Sequence, residues 1–171
     1  MDLAPVHPIL AQAAVDDFLD NPNWRTRSGE YGWTFSRPYP LTLVATLPVR
    51  VAGSVVAHFT LRLSCEFCPT YPPDVRFVNP QTLDYDPACD LRHLANVQAP
   101  FCYVHPVYPY NPPYRYGPQL VCSSMILGYY VSGHNPTADQ RWDPQRHTIG
   151  ASIYTVHRAL HSVHYRGRHS S

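Results

Sequence analysis

Residues 41–80 read LTLVATLPVRVAGSVVAHFTLRLSCEFCPTYPPDVRFVNP, and this stretch decides the fold. In residues 58–67, apolar side chains alternate with polar ones, which is the period of a half-buried strand. Gly53-Ser54 marks a turn, and Tyr71-Pro72-Pro73 ends the second long run. The predicted strands are residues 31–36, 41–51, 58–67 and 75–78. Strands joined by tight turns predict a four-stranded antiparallel meander.

A helix is predicted on each side of this meander. Before it, residues 8–20 carry an apolar face that ends at Asn21-Pro22, because a residue before proline disfavours helix. The members of that predicted face are Ile9, Leu10, Ala13, Ala14 and Phe18. After it, Asp143-Pro144 resembles a helix start, and an apolar stripe runs to about His164. The stripe consists of Ile149, Ile153, Val156, Leu160 and Val163. Residues 166–171 are expected to fray.

Regular patterns fade between residues 79 and 118. Residues 100–118 hold six prolines and five tyrosines. Such a segment is either a long ordered loop or an insertion packed by its own rings, and it is also a candidate partner surface. Packing is the interpretation that we favour, because rings in a loop usually cover the core.

Composition limits the possible functions. The 171 residues include 44% hydrophobic residues and carry a net charge of +1, which argues for one globular domain over residues 1–171 and against nucleic-acid binding. Neither a membrane-spanning segment nor a signal peptide is recognisable, so we expect no membrane partner and a cytoplasmic protein. All 13 basic residues are arginines, so no lysine side chain is available for modification.

The five cysteines are candidates for chemistry. An odd number of thiols without an export signal argues against a disulfide framework. Cys65-x-x-Cys68 and Cys89-x-x-x-His93 have spacing compatible with a structural zinc site that would brace the proline-rich segment. That zinc site is an alternative to a reactive thiol, and we assign no metal.

A set of short motifs occurs in a recognisable order. In chain order they are Tyr71-Pro72-Pro73, Val75-x-Phe77, His105-Pro106, Gly117, Leu120-Val121-Cys122, Trp142-Asp143-Pro144 and Thr148-Ile149. Together they resemble the ubiquitin-conjugating enzymes over roughly residues 40–164. The resemblance implies an α+β fold with an N-terminal helix, the meander, a long Pro/Tyr-rich active-site insertion and a C-terminal helix. It suggests a divergent, bacterial member.

The resemblance also implies an activity. A cysteine would carry a ubiquitin-like protein as a thioester, receive it from an activating enzyme and pass it to an amine of an acceptor protein, without a cofactor. Cys122 matches the family's cysteine by order and flanking residues, and Cys102 is the rival. His105-Pro106 would organise the approach to the site. Val107 stands where the family has its oxyanion-binding asparagine, so Asn111 is nominated as a substitute, with Asn135 as another.

Residues 128–136 are predicted to form a loop that borders Cys122. Gly128 and Gly133 would be its hinges. Its predicted lining is Tyr129, Tyr130, His134 and Asn135. An ordinary surface loop is the alternative.

Other functions remain open from the sequence. The chain is alternatively an inactive relative that acts as a binding adaptor, a small zinc-braced interaction module, or a Cys–His hydrolase without a specific signature. Burial of the cysteine would favour the adaptor, and exposure beside a groove would favour catalysis. His157, His161 and His164 are predicted to form a solvated helix face, with a metal-binding face as the alternative.

Overall fold

The computed structural model describes residues 3–108 and 118–169, a mixed α+β arrangement of two antiparallel sheets and four α-helices. The helices are α1 (Pro8–Asp20), α2 (Pro22–Tyr31), α3 (Leu127–Val131) and α4 (Ile149–Leu160). The strands are β1 (Thr34–Tyr39), β2 (Thr42–Val51), β3 (Ser54–Ser64), β4 (Asp74–Val78), β5 (Ala95–Ala99), β6 (Cys102–His105), β7 (Leu120–Cys122) and β8 (Tyr165–Arg168). The sheets have the strand orders β1-β2-β3-β4 and β7-β6-β5-β8. Within the described ranges, no helix has the length and apolarity needed to cross a bilayer.

The predicted four-stranded meander is confirmed. Leu47 pairs with Phe59 and Leu43 pairs with Leu63 across β2 and β3, and all four side chains are buried in the core. The hairpin turns at Ala52 and Gly53, which both have positive φ (49° and 82°). Two consecutive left-handed residues give the turn whose twist matches that of the flanking strands.

Helix α1 has the predicted bounds, but only part of its predicted face is buried. Ala11, Val15 and Phe18 pack into the core, whereas Ile9 and Leu10 are 68% and 58% exposed. The prediction was therefore wrong for Ile9 and Leu10, and also for Ala13, which is exposed. It holds for Phe18 and for Ala14, which packs against the core. Both stripes satisfy the helical period, and tertiary packing selects between them.

Helix α2 was not predicted. The Asn21 side chain accepts hydrogen bonds from the backbone N–H groups of Asn23 (3.0 Å) and Trp24 (3.1 Å), so Asn21 caps α2 directly after α1 ends. Pro22 occupies the first turn, where its missing N–H costs nothing. The same Asn-Pro pair thus ends one helix and begins the next, and β1 begins at Thr34 rather than at residue 31.

The second sheet was also not predicted. In its β5–β8 pair, Val97 lies opposite Tyr165 and Ala95 opposite Arg168, so residues 165–168 form a strand and the prediction of a frayed tail was wrong there. The buried Gln119 joins this sheet to the meander. Its side chain accepts from the Phe77 N–H (2.7 Å) and donates to the Phe77 carbonyl (2.9 Å).

The predicted insertion begins and ends within the described residues. The Tyr108 N–H donates to the Pro118 carbonyl (2.7 Å), which closes the base of the segment. The nominated oxyanion donor Asn111 and the motif residue Gly117 lie outside the described residues.

Helix α4 is shorter than predicted at both ends. Asp143 caps a separate turn by accepting from the Gln145 N–H (2.9 Å), and α4 begins only at Ile149. The helix ends at Leu160, and Val163 is 82% exposed rather than part of the buried stripe. The other four members of the stripe are buried as predicted: Ile149, Ile153, Val156 and Leu160.

The predicted solvated histidine face is wrong for His157. The Trp33 indole N–H donates to its Nδ1 (3.2 Å), and its ring packs against Tyr31 with 4.4 Å between the centroids. Burial, with a smaller contribution from His161, lowers the pKa of His157 to about 4. His161 is exposed, and its Nε2 accepts from the Arg50 N–H (3.1 Å).

Candidate functional site

Strands β6 and β7 bring two predicted site residues, Cys122 and His105, to one place, together with Tyr103, which was not predicted. Tyr103 lies directly opposite Cys122, and His105 lies opposite Leu120. Directly opposed residues share a face of the sheet, and so do residues two apart on one strand. Cys122, Tyr103 and His105 therefore share one face, where the rings of Tyr103 and His105 stack with 4.2 Å between centroids.

The Cys122 thiol lies at the end of β7, immediately before the chain turns into α3. The residue is partly exposed. Because the residue is also partly buried, the pKa of the Cys122 thiol is raised. The thiol therefore needs a base before it can act as a nucleophile.

His134 supplies a base at this position. Its Nε2 lies 3.9 Å from the Cys122 sulfur, and its Nδ1 lies 2.9 Å from the Ser132 hydroxyl oxygen. With the Ser132 hydroxyl proton donated to the Tyr129 carbonyl (3.1 Å), the hydroxyl oxygen accepts from Nδ1–H of His134. In that tautomer the lone pair of Nε2 faces the sulfur. Ser132 thus orients His134, and His134 can accept the thiol proton.

The turn between Cys122 and His134 is held by contacts from distant parts of the chain. The Leu127 N–H donates to the Pro73 carbonyl (3.0 Å) at the start of α3. The Tyr130 hydroxyl donates to the Ser124 carbonyl and accepts from the Trp142 N–H, both at 2.8 Å. These contacts hold the two ends of the turn in place.

Gly128 does not lie in a loop. It is buried in α3, and a Cβ on it would lie 2.7 Å from Cδ1 of Leu120, so close packing explains the glycine better than a hinge does. The predicted loop over residues 128–136 is therefore helical through Val131. Gly133, with a φ of 86°, lies in the part that follows the helix.

A groove of about 250 Å³ lies beside His134. Its lining residues are Thr70, Tyr71, Tyr130, His134, Asn135, Pro136, Arg141 and Trp142. Trp142 fixes one wall, because its indole N–H donates to the Pro69 carbonyl (2.8 Å). Of the predicted lining residues, Tyr130, His134 and Asn135 contact this groove, while Tyr129 stacks on the His134 ring with 4.6 Å between centroids.

The rival cysteine is enclosed. Cys102 is fully buried in the core on the opposite face of β6 from Tyr103. Burial, with a smaller contribution from Cys122, raises the pKa of the Cys102 thiol to about 12. Of these two thiols, Cys122 alone is open to solvent and next to a base.

The four residues of the zinc alternative are in different environments. Cys65 and Cys68 are buried in the core, and a hydrogen bond between them together with burial raises the pKa of the Cys68 thiol. Cys89 is exposed. In residues 3–108 and 118–169, three or more His, Cys, Asp or Glu side chains nowhere gather in a way that could hold a metal ion.

His105 lies on the same face of the β6–β7 pair as Cys122. Burial and the nearby His134 lower the pKa of His105. The carbonyl of the next residue, Pro106, accepts from the Tyr85 hydroxyl (2.9 Å), so the His105-Pro106 segment is anchored to the loop after β4.

Sequence reasoning missed the pairing of Cys122 with His134 and the role of Ser132. The available signal was the Ser132-Gly133-His134 run that follows the cysteine. It indicates a base for the thiol only when α3 is known to bring this run back beside Cys122. Comparisons with protein-family models, with curated proteins and with solved structures found no match to this chain.

Proposed function

We propose that this protein is a ubiquitin-conjugating-enzyme-like carrier that holds the C-terminal carboxyl of a ubiquitin-like protein as a thioester on Cys122. The observation that carries this proposal is a partly exposed thiol with an imidazole nitrogen 3.9 Å from its sulfur. An activating enzyme would supply the ubiquitin-like protein, and an acceptor protein would receive it.

The order of the elements supports the proposal. Helix α1 precedes the meander, Cys122 ends a strand beyond it, Trp142 anchors the following segment, and α4 closes the chain's main core. This order is the one that the resemblance implies. His105 shares a face of the β6–β7 pair with Cys122, which supports a role for it in organising the approach to the site.

The loading reaction uses the residues described above. Nε2 of His134 accepts the thiol proton, and the resulting thiolate attacks the activated carbonyl carbon of the incoming thioester. The donor thiol leaves with the bonding electrons and takes up the proton. Asn111 remains the proposed oxyanion donor, and Asn135, which lines the groove with His134, is the other nominee.

The experiment uses a defined acyl donor. A synthetic peptide ending in Gly-Gly, as its mercaptoethanesulfonate thioester, is incubated with the protein, and intact mass is measured with and without reductant. The exposed Cys89 is replaced by Ala in every sample, so that its thiol forms no adduct. We expect a reductant-sensitive adduct that persists in Cys102→Ala and disappears in Cys122→Ala.

The opposite pattern would overturn the assignment. An adduct that depends on Cys102 keeps a carrier function but moves its site. A complete absence of adduct removes the carrier function and favours the adaptor.

The contact between Cys122 and His134 also favours a second candidate, a Cys–His hydrolase. Both functions begin with the same acyl-enzyme, and they differ in its fate. A hydrolase passes the acyl group to water within seconds, whereas a carrier keeps it until an acceptor arrives. The lifetime of the Cys122 adduct in buffer alone separates the two.

A further inference from the structure

We infer that the acceptor of the acyl group on Cys122 is an aliphatic hydroxyl, such as a serine or threonine side chain, rather than a lysine amine. The inference rests on the proposed function, since it names the substrate class of the same site. Two independent features carry it: the oriented base at the sulfur, and a groove beside His134 whose described lining residues include no carboxylate.

The first feature is the position of the base. Nε2 of His134 lies 3.9 Å from the sulfur with its lone pair facing it, and Ser132 holds the other ring nitrogen. Once the sulfur is acylated, the thiol proton is gone. Nε2 then faces the acceptor nucleophile that attacks the thioester carbonyl carbon. The structure thus places a general base next to the reacting carbon.

An oxygen nucleophile needs such a base more than an amine does. A neutral amine attacks with its own lone pair, and its proton leaves afterwards with ease. A hydroxyl gains enough nucleophilicity only if its proton is removed during the attack, which is the task of general base catalysis. The oriented imidazole therefore fits a hydroxyl acceptor.

The second feature is charge. A lysine side chain has a pKa of about 10.4 and arrives as an ammonium ion, which a nearby carboxylate would bind and help to deprotonate. Along the chain, residues 91–138 precede and follow Cys122, and this stretch of sequence contains no Asp or Glu. Among the described residues that line the groove beside His134 there is no carboxylate either, and Arg141 is a cation there. A neutral hydroxyl carries no charge that Arg141 would repel.

Transfer to the hydroxyl begins with the base. Nε2 of His134 removes the hydroxyl proton while the oxygen attacks the thioester carbonyl carbon, which forms a C–O bond and a tetrahedral oxyanion. The intermediate collapses, the C–S bond breaks with its electron pair on sulfur, and the imidazolium returns the proton to the Cys122 thiolate. The products are an ester and the free thiol.

The experiment follows discharge of preloaded protein in a single turnover. Protein with Cys89→Ala is loaded on Cys122 with the Gly-Gly peptide thioester, freed of excess donor, and mixed with equal concentrations of N-acetylserinamide and N-acetyl-lysinamide. Mass spectrometry counts the two products, and hydroxylamine cleaves the ester but not the amide. Because the chain has no lysine, self-acylation of its side chains yields only esters and does not imitate the amide product.

We expect the ester to be the main product. His134→Ala is loaded for longer with the same donor, because it lacks the base that assists loading, and should then form the ester roughly 100-fold more slowly, which is the usual loss for a general base. Added imidazole should restore much of that rate, whereas a purely structural role of His134 would not respond to imidazole. His58→Gln changes an exposed histidine of β3 and should discharge like the parent protein.

Each other outcome contradicts a defined part of the argument. Amide as the main product overturns the hydroxyl acceptor but leaves the carrier function intact. Discharge to free peptide at a rate that neither acceptor changes assigns the site to a hydrolase. Failure to load Cys122 at all overturns the carrier function itself.

Discussion

Gly150→Ala should destabilise the protein, although alanine is the better helix former. Gly150 is the second residue of α4 and faces Trp24 of α2. A Cβ on Gly150 would overlap the indole ring, with Cζ2 of Trp24 only 2.5 Å away. The ring has little room to withdraw, because Phe18 and Trp33 lie at 6.0 and 6.3 Å between centroids.

Two opposing terms set the magnitude. Replacing glycine by alanine in a helix gains up to about 1 kcal/mol. Forcing an extra carbon into a packed site costs about 1–3 kcal/mol. Because the added carbon would overlap three atoms of the Trp24 ring, the cost should lie in the upper part of that range, and we expect the free energy of unfolding of Gly150→Ala to fall by about 1–2 kcal/mol, measured by urea unfolding monitored by circular dichroism.

Gly29→Ala is the matched control. Gly29 is exposed in α2, and a Cβ on it would meet nothing within 4 Å, so this variant should be more stable by about 0.5–1 kcal/mol. In a Trp24→Leu background, Gly150→Ala should lose most of its cost, since the clash is specific to the indole ring. A Gly150→Ala variant as stable as the parent protein would refute the reasoning.

Three further predictions concern pH, polar burial and thiol reactivity. The pKa of His157 is about 4 in the folded protein and about 6.5 in the unfolded chain, so the unfolded state binds more protons between these two pH values. As the pH drops from about 6.5 towards 4, the free energy of unfolding should therefore fall by about 1–2 kcal/mol, a figure discounted for the partial exposure of His157. His157→Gln should remove this residue's share of the pH dependence and so reduce the slope in urea unfolding, and an unchanged slope would contradict the assignment. Gln119→Leu leaves both backbone groups of Phe77 unpaired and should cost about 2–4 kcal/mol, which a loss below about 1 kcal/mol would refute. Iodoacetamide should label only Cys89 and Cys122 in the native protein and all five thiols after unfolding; native labelling of a third would contradict the burial of the others.

The meander could be predicted because its signal is local. Residues 41–51 form a long apolar run and residues 58–64 alternate between apolar and polar side chains, so both segments predict strands, and the hairpin turn between them contains a glycine. Helix α1 could be predicted for the same reason. Its buried face could not, because two apolar stripes fit one period and only tertiary packing selects between them.

The second sheet could not be predicted because each of its strands has only three to five residues. Such short runs contain little periodic pattern. One pairing joins β5 to β8, at the far end of the sequence, and depends on the whole fold being in place. The start of α4 was misplaced for a different reason: Asp143-Pro144 has the chemistry of a helix cap but serves an isolated turn.

Contacts between segments that are distant in the sequence also position the candidate site. The motifs around Tyr71-Pro72-Pro73 and Trp142 are about 70 residues apart, yet both contact the turn that contains α3: Pro73 accepts from the first residue of the helix, and Trp142 donates to Tyr130 within it. Tyr71 packs edge-on against Tyr130, with 5.9 Å between their centroids. Neither motif touches the Cys122 sulfur in these contacts. Both act by fixing the turn whose two ends present the thiol and His134 to each other, so a change at Trp142 should alter the reactivity of Cys122 through the position of His134.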